Sequence, residues 1–177
     1  MSRIRILSLY SGSSGNSFLI STPTGAILID AGKNAKRLCM ALSAAGACLD
    51  EIRAIFITHE HNDHVSALPV LLKKHPVPVH ILKASAYKLA CDPAVAPCLC
   101  LHPPIFEEQV EGIRMRSFPT PHDSMGSVGY RIEITETGVG FELKLQGMHA
   151  LPISLRMTGM FNVYNAIAAA SCAMVLG

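Results

Sequence analysis

Apolar and polar positions alternate over residues 4–10, which predicts a strand. The polar turn Ser11-Gly12-Ser13-Ser14-Gly15-Asn16-Ser17 ends it. Residues 18–21 and 26–29 predict two more strands, joined by the hairpin signal Thr22-Pro23-Thr24-Gly25. Over residues 34–47 the period becomes helical. Leu38, Leu42 and Ala45 recur on one face, and Gly46 stands near the C-terminal end. A short apolar strand at 54–57 runs into a polar loop at 58–64, and a helix at 66–74 follows. Residues 77–82 predict a strand, 83–91 a short helix, and the Pro- and Cys-rich stretch 92–104 an irregular segment. Strands are expected at 110–118, 128–134, 141–145 and 151–157, and a helix of small residues at 162–176. Strands mixed with helices, several of them hairpin-like, imply an α/β domain on a mixed sheet.

Composition narrows this picture only a little. A chain of 177 residues, 50% hydrophobic and 16% charged, has enough apolar surface for a core. A formal net charge of +2 gives no bulk electrostatic capture of nucleic acid, and the absence of Trp leaves no stacking platform advertised. No apolar run is long enough to span a membrane, and the start lacks the pattern of an export signal. Six cysteines without a C-x-x-C pair are therefore expected as reduced thiols in the cytoplasm. Cys98 and Cys100 form a C-x-C, read as buried thiols.

The chemistry sits directly after the strand at 54–57. Thr58-His59-Glu60-His61-Asn62-Asp63-His64 places four strong metal-binding side chains in six residues. Imidazole suits zinc, and carboxylate suits harder divalent ions. A loop at a strand end can turn such groups toward one point. His59 and His61 would serve one ion, and Asp63 and His64 a second close by. Two adjacent ions clamp the attacking and leaving oxygens of an acyl or phosphoryl substrate. The other histidines, His75, His80, His102 and His149, are isolated and receive no metal role.

The H-x-H-x-D-H run resembles the metal motif of the metallo-β-lactamase superfamily. Ile27-Leu28-Ile29-Asp30-Ala31-Gly32 resembles that family's first motif, and Pro121-His122-Asp123 its third. With the Ser11–Ser17 turn and residues 118–129, the resemblance narrows to the bacterial YycJ/WalJ branch of DNA exonucleases or phosphodiesterases. It covers residues 1 to about 134. The resemblance implies the N-terminal half of an αββα architecture. It also implies a first metal held by His59, His61 and His122, and a second served by Asp63 and His64. Asp63 would also orient a water and accept its proton, and Asp30 would brace the loop without binding metal. The implied cofactor is one or two Zn²⁺ or Mn²⁺ ions. The implied activity is a metal-dependent, 5′-3′ exonuclease-like phosphodiesterase acting on DNA.

Beyond Arg131 the chain has no aspartate and only one histidine, His149. The resemblance therefore implies an incomplete second site that lacks its bridging aspartate. Residues 155–170 resemble instead the central domain of Mur ligases, of the UDP-N-acetylmuramyl-tripeptide synthetase type. Asn162 and Asn165 match positions near the ATP adenine in that family, but the G-x-x-x-x-G-K-[ST] phosphate loop is absent. The expectation is a chimera: a partial hydrolase domain over 1–134 and a ligase-like fragment over 135–177. A half domain would leave an apolar sheet face uncovered, which predicts self-association. The competing functions are a catalytically silent zinc-binding or non-functional chimeric fragment and a nucleotide-binding fragment.

Overall fold

The computed structural model describes residues 4–134, 139–144 and 151–155, the last two as backbone strands. Among these residues one sheet has the order β11-β10-β1-β2-β3-β4-β5-β6. Its strands are β1 (Ile4–Tyr10), β2 (Ser17–Ser21), β3 (Ala26–Ile29), β4 (Ile52–Phe56), β5 (Val79–Leu82), β6 (Leu99–His102), β10 (Val139–Lys144) and β11 (Leu151–Leu155). A second sheet, ordered β7-β8-β9, comprises β7 (Glu107–Val110), β8 (Ile113–Pro119) and β9 (Val128–Ile134). The helices are α1 (Ala35–Ala44), α2 (Asn62–Val65) and α3 (Leu68–Lys74).

Period-two patterning sorts the large sheet's side chains between two cores. Leu7, Leu19, Leu28, Ile55, Val79 and Ile81 face α1 and α3. Their neighbours Ile6, Ile20, Ile27, Ala54, Phe56 and Leu82 face the small sheet, where Met115, Tyr130 and Ile132 meet them. Asn34 caps α1 by accepting from the Arg37 amide at 2.9 Å, and Leu38 and Leu42 are its buried ridge. Burial of each of those leucines contributes about 1.5–3 kcal/mol. Gly46, at φ +71°, takes the left-handed conformation that stops the helix.

Most elements follow the pattern in the sequence; the departures are non-local in origin. The stretch 92–104 is not wholly irregular, because β6 pairs in parallel with β5, His80 opposite Cys100 and Leu82 opposite His102. The helix expected over 83–91 is two separate 3₁₀ turns, Lys83–Ser85 and Leu89–Cys91. The Ser85 hydroxyl there donates to the Gly126 carbonyl, a bond made across the fold. β7 shows no hydrophobic alternation of its own. It is a strand because Glu111 and Gly112, both at positive φ, return the chain onto β8.

Two observations bear on the later part of the chain. β10 lies parallel to β1, with Ile4 opposite Phe141, and β11 pairs antiparallel to β10. The large sheet thus continues past residue 135. The outer face of the small sheet is largely charged. Glu133, almost fully buried, lies within 4 Å of Arg114, Arg116 and Arg131, and Glu107 pairs with Arg114 and Arg116. Phe118 is the exposed large hydrophobic on that face. The helix expected over 162–176, with Asn162 and Asn165, lies outside the described residues.

Tyr130 joins the two sheets just below the loop at 58–64. Its ring packs edge-on to Phe56, and its hydroxyl donates to the Ile57 carbonyl at 2.8 Å. Tyr130→Phe leaves that buried carbonyl without its donor, at a cost of about 1–2 kcal/mol. A thermal melt checks this, with an expected drop of roughly 2–4 °C per kcal/mol for a chain of this size.

Candidate metal centre

β4 is buried on both faces from Ala54 to Phe56, so the chain leaves its C-terminal end at one fixed point and direction. There Thr58 opens the loop, and α2 turns back at once, with the His64 amide donating to the His61 carbonyl at 2.8 Å. The turn gathers the imidazoles. The His59 ring centroid lies 4.6 Å from His61, 4.0 Å from His64 and 4.3 Å from His122. Donor atoms of His59, His61 and His122 lie within 4.8 Å of one another. His122 arrives from the loop after β8, which is tied to the site by Val128 donating to the Thr58 carbonyl at 3.1 Å.

Hydrogen bonds outside the cluster select which ring nitrogen points inward. Asp30 ends β3 at φ +61°, a left-handed conformation that Asp tolerates better than most residues. Its carboxylate accepts from the Thr58 amide at 2.8 Å and from the Thr58 hydroxyl at 2.9 Å. It also lies 2.7 Å from His64 Nδ1. The Nδ1–H of His64 therefore donates to Asp30, and Nε2 carries the lone pair. The Thr58 hydroxyl, having donated to Asp30, accepts from His59 Nδ1 at 3.0 Å. His122 Nδ1 lies 2.6 Å from the Asp123 carboxylate. In His59 and His122 Nδ1 is engaged by an oxygen, which leaves Nε2 for an ion, whereas His64 Nε2 also has a partner, the Asn16 side-chain amide at 3.1 Å. This is the arrangement that orients imidazole ligands at metal sites.

Electrostatics agree for His59. Burial, reinforced by the neighbouring His64, His122 and His61, lowers the His59 pKa to about 4, so its lone pair is free at neutral pH. For His64, burial acts to lower the pKa, but the hydrogen bond and charge of Asp30, with the charge of Asp63, outweigh it and raise it. The donor set of nitrogen ligands with engaged outer nitrogens fits a divalent metal. Asp63 sits beside His64, its Oδ2 3.4 Å from Nε2.

Three residues here were not singled out from the sequence as site residues. Asn16, from the Ser11–Ser17 turn, donates to Asp63 Oδ2 at 3.0 Å and lies 3.1 Å from His64 Nε2. Gly32 allows that turn to reach the loop, since its amide donates to the Asn16 carbonyl while the Asn16 amide donates to the Asp63 carbonyl. A Cβ on Gly32 would lie 2.0 Å from the Asp63 carbonyl oxygen. Glu60, buried, accepts from the Met125 amide at 3.3 Å and so holds the loop that carries His122. Glu60 stands between two ligands, yet its side chain turns away from them toward Met125. A cleft of about 350 Å³ opens on the centre, walled by Asn16, Phe18, Thr120, Pro121 and Val128.

The sequence model of the metallo-β-lactamase superfamily matches residues 10–141. The chain belongs to that superfamily. Over 142 residues it is 29% identical to the exodeoxyribonuclease WalJ of Streptococcus pneumoniae, covering 73% of this chain and 53% of that protein. Over 72 residues it is 36% identical to the exodeoxyribonuclease YycJ of Bacillus anthracis, covering 41% and 27% respectively. A metallo-β-lactamase of Cronobacter sakazakii shares its fold at a TM-score of 0.59 and 23% identity, over 68% of this chain and 54% of that one. The chain thus spans about half the length of the WalJ protein it matches. None of these relatives is a Mur ligase. Asp30, bonded to both Thr58 and His64, braces the histidine-rich loop. Asp30→Asn keeps the size and the left-handed backbone but removes the charge. It is expected to lower metal affinity roughly 10–100-fold, read by competition with a chromogenic chelator.

Proposed function

We propose that this chain carries the metal centre of a metal-dependent phosphodiesterase that acts on DNA, as a 5′-3′ exonuclease. The observation that supports this best is the gathering of His59, His61 and His122, whose ligand atoms lie within 4.8 Å of one another. Similarity to proteins named exodeoxyribonucleases supports DNA as the substrate class. His59, His61 and His122 would hold a first ion, zinc or manganese, with Asp63 and His64 serving a second. An ion there supplies Lewis-acid polarisation and makes nearby water more acidic. Asn16 fixes one oxygen of Asp63, so that the carboxylate is oriented to take a proton from the attacking water. The cleft beside His122 binds and orients the scissile diester, while Phe18 and Val128 exclude bulk water from one side. We read the boundary near residue 135 as a change of ancestry within one continuing sheet.

The test uses the full chain with saturating Mn²⁺ or Zn²⁺, assayed on bis(p-nitrophenyl) phosphate and on 5′-phosphorylated linear DNA. Expected are hydrolysis of both and release of nucleotides from the 5′ end, with Asp63→Asn lowering the rate by about 10²–10⁴-fold as the proton acceptor is lost. A metal-loaded chain that turns over neither substrate would establish the silent metal-binding reading instead.

A further inference from the structure

A second cluster of ligating side chains lies between the two sheets. His80 on β5 and Cys100 on β6 are register partners, and His102 follows Cys100 on the same face of β6. His80 Nδ1 is 3.0 Å from His102 Nε2. From the small sheet, Glu108 on β7 places its carboxylate 4.0 Å from His102 Nε2. Single donor atoms of His80, His102 and Glu108 lie within 4.8 Å of one another.

The two rings are held in place by stacking. Phe56 stacks on His80 at 4.4 Å and 8°, His80 on His102 at 5.2 Å and 16°, and His102 on Phe106 at 3.9 Å and 10°. Four rings thus form one column, with the two imidazoles at its centre. We propose that His80, His102 and Glu108 form a second metal site, taking a zinc-class divalent ion that ties the outer strand of the large sheet to the small sheet. Two imidazole nitrogens and one carboxylate oxygen match the ligand types of that ion. The nitrogen pair at 3.0 Å is within a few tenths of the separation that bonds of about 2.0–2.1 Å require in a tetrahedron. Glu108 is the only one of the three that must move closer, and its side chain is over a third exposed and able to do so. Burial lowers the pKa of both imidazoles, that of His80 to about 4, so both are neutral ligands at ordinary pH. The gain is structural. β6 is the last described strand on its side of the large sheet, and an ion there would cross-link it to β7.

The experiment compares full-length variants, freed of metal with a chelator and then titrated with Zn²⁺. His59→Ala/His64→Ala removes a ligand from each of the two ions proposed for the first centre. This double variant is expected to retain about one Zn²⁺ per chain, as a three-ligand site should, and to melt higher with Zn²⁺ than without. Adding Glu108→Gln, a change at a partly exposed side chain, is expected to weaken that binding by roughly tenfold or more. Adding His102→Phe in its place should abolish it. No Zn²⁺ on the double variant, or unchanged affinity after Glu108→Gln, would overturn the proposal. If His102→Phe fails to fold by circular dichroism, the Glu108→Gln titration decides alone. Because His59 and His64 are already absent, the result is independent of the exonuclease assignment.

Discussion

His59→Ala is expected to remove the first metal and, with it, all metal-dependent hydrolysis. His59 is the most buried of the clustered histidines, and its ring lies within 5 Å of His61, His64 and His122. It is therefore the hub of the cluster. Alanine deletes a ligand held at Nδ1 by Thr58, so the loss should exceed the roughly 10–100-fold typical of removing an outer hydrogen-bond partner. The fold should survive, because the core on both sides of β4 is built from Ile55, Ile57, Ala54 and Phe56. Metal per chain by mass spectrometry, alongside the diester assay, checks both parts. A variant that keeps its full metal content while losing activity would show that His59 serves substrate and not the ion.

Gly32→Ala is expected to damage the centre without touching a ligand. The added Cβ would meet the Asp63 carbonyl oxygen at 2.0 Å, the Asn16 amide nitrogen at 2.4 Å and the Asn16 carbonyl oxygen at 2.7 Å. All three are backbone atoms, so no side-chain rotation relieves the clash. Those same groups tie the Ser11–Ser17 turn to the metal loop, with the Asn16 amide 2.7 Å from the Asp63 carbonyl. The two segments must separate, which breaks those bonds and moves Asn16 away from Asp63. Overpacking of a tight site costs about 1–3 kcal/mol, and rigid backbone neighbours place this case at or above the upper end. The melting temperature should fall by roughly 2–4 °C for each kcal/mol, and metal affinity should fall with it. An unchanged melt and unchanged affinity would show that the turn does not position Asp63.

The metal loop was readable because it is local. Four ligating residues within six positions need only a strand end to converge, and β4 is evident as an apolar run. Asp30 and His122 were readable by resemblance, at fixed motifs in order along the chain. Asn16 was visible only as part of a polar turn. Its role depends on a contact 47 residues away that nothing in the turn itself specifies. β6 and β7 were missed because neither carries an alternating apolar pattern. Each is a strand by virtue of the neighbour it pairs with.

By itself, then, the sequence determined the α/β layering and the superfamily, and it singled out the histidines that gather in the first cluster. These follow from short-range periodicity and from ligands crowded into one loop. Tertiary structure alone decided which ring nitrogens have oxygen partners, since that depends on Asp30, Thr58 and Asp123 at their observed distances. It also decided that His80 and His102, isolated along the chain, meet Glu108 between the sheets. Parallel pairing of β5 with β6 and the packing of one sheet on the other bring them together. Register between distant strands is set by the whole core, which no local stretch of sequence records.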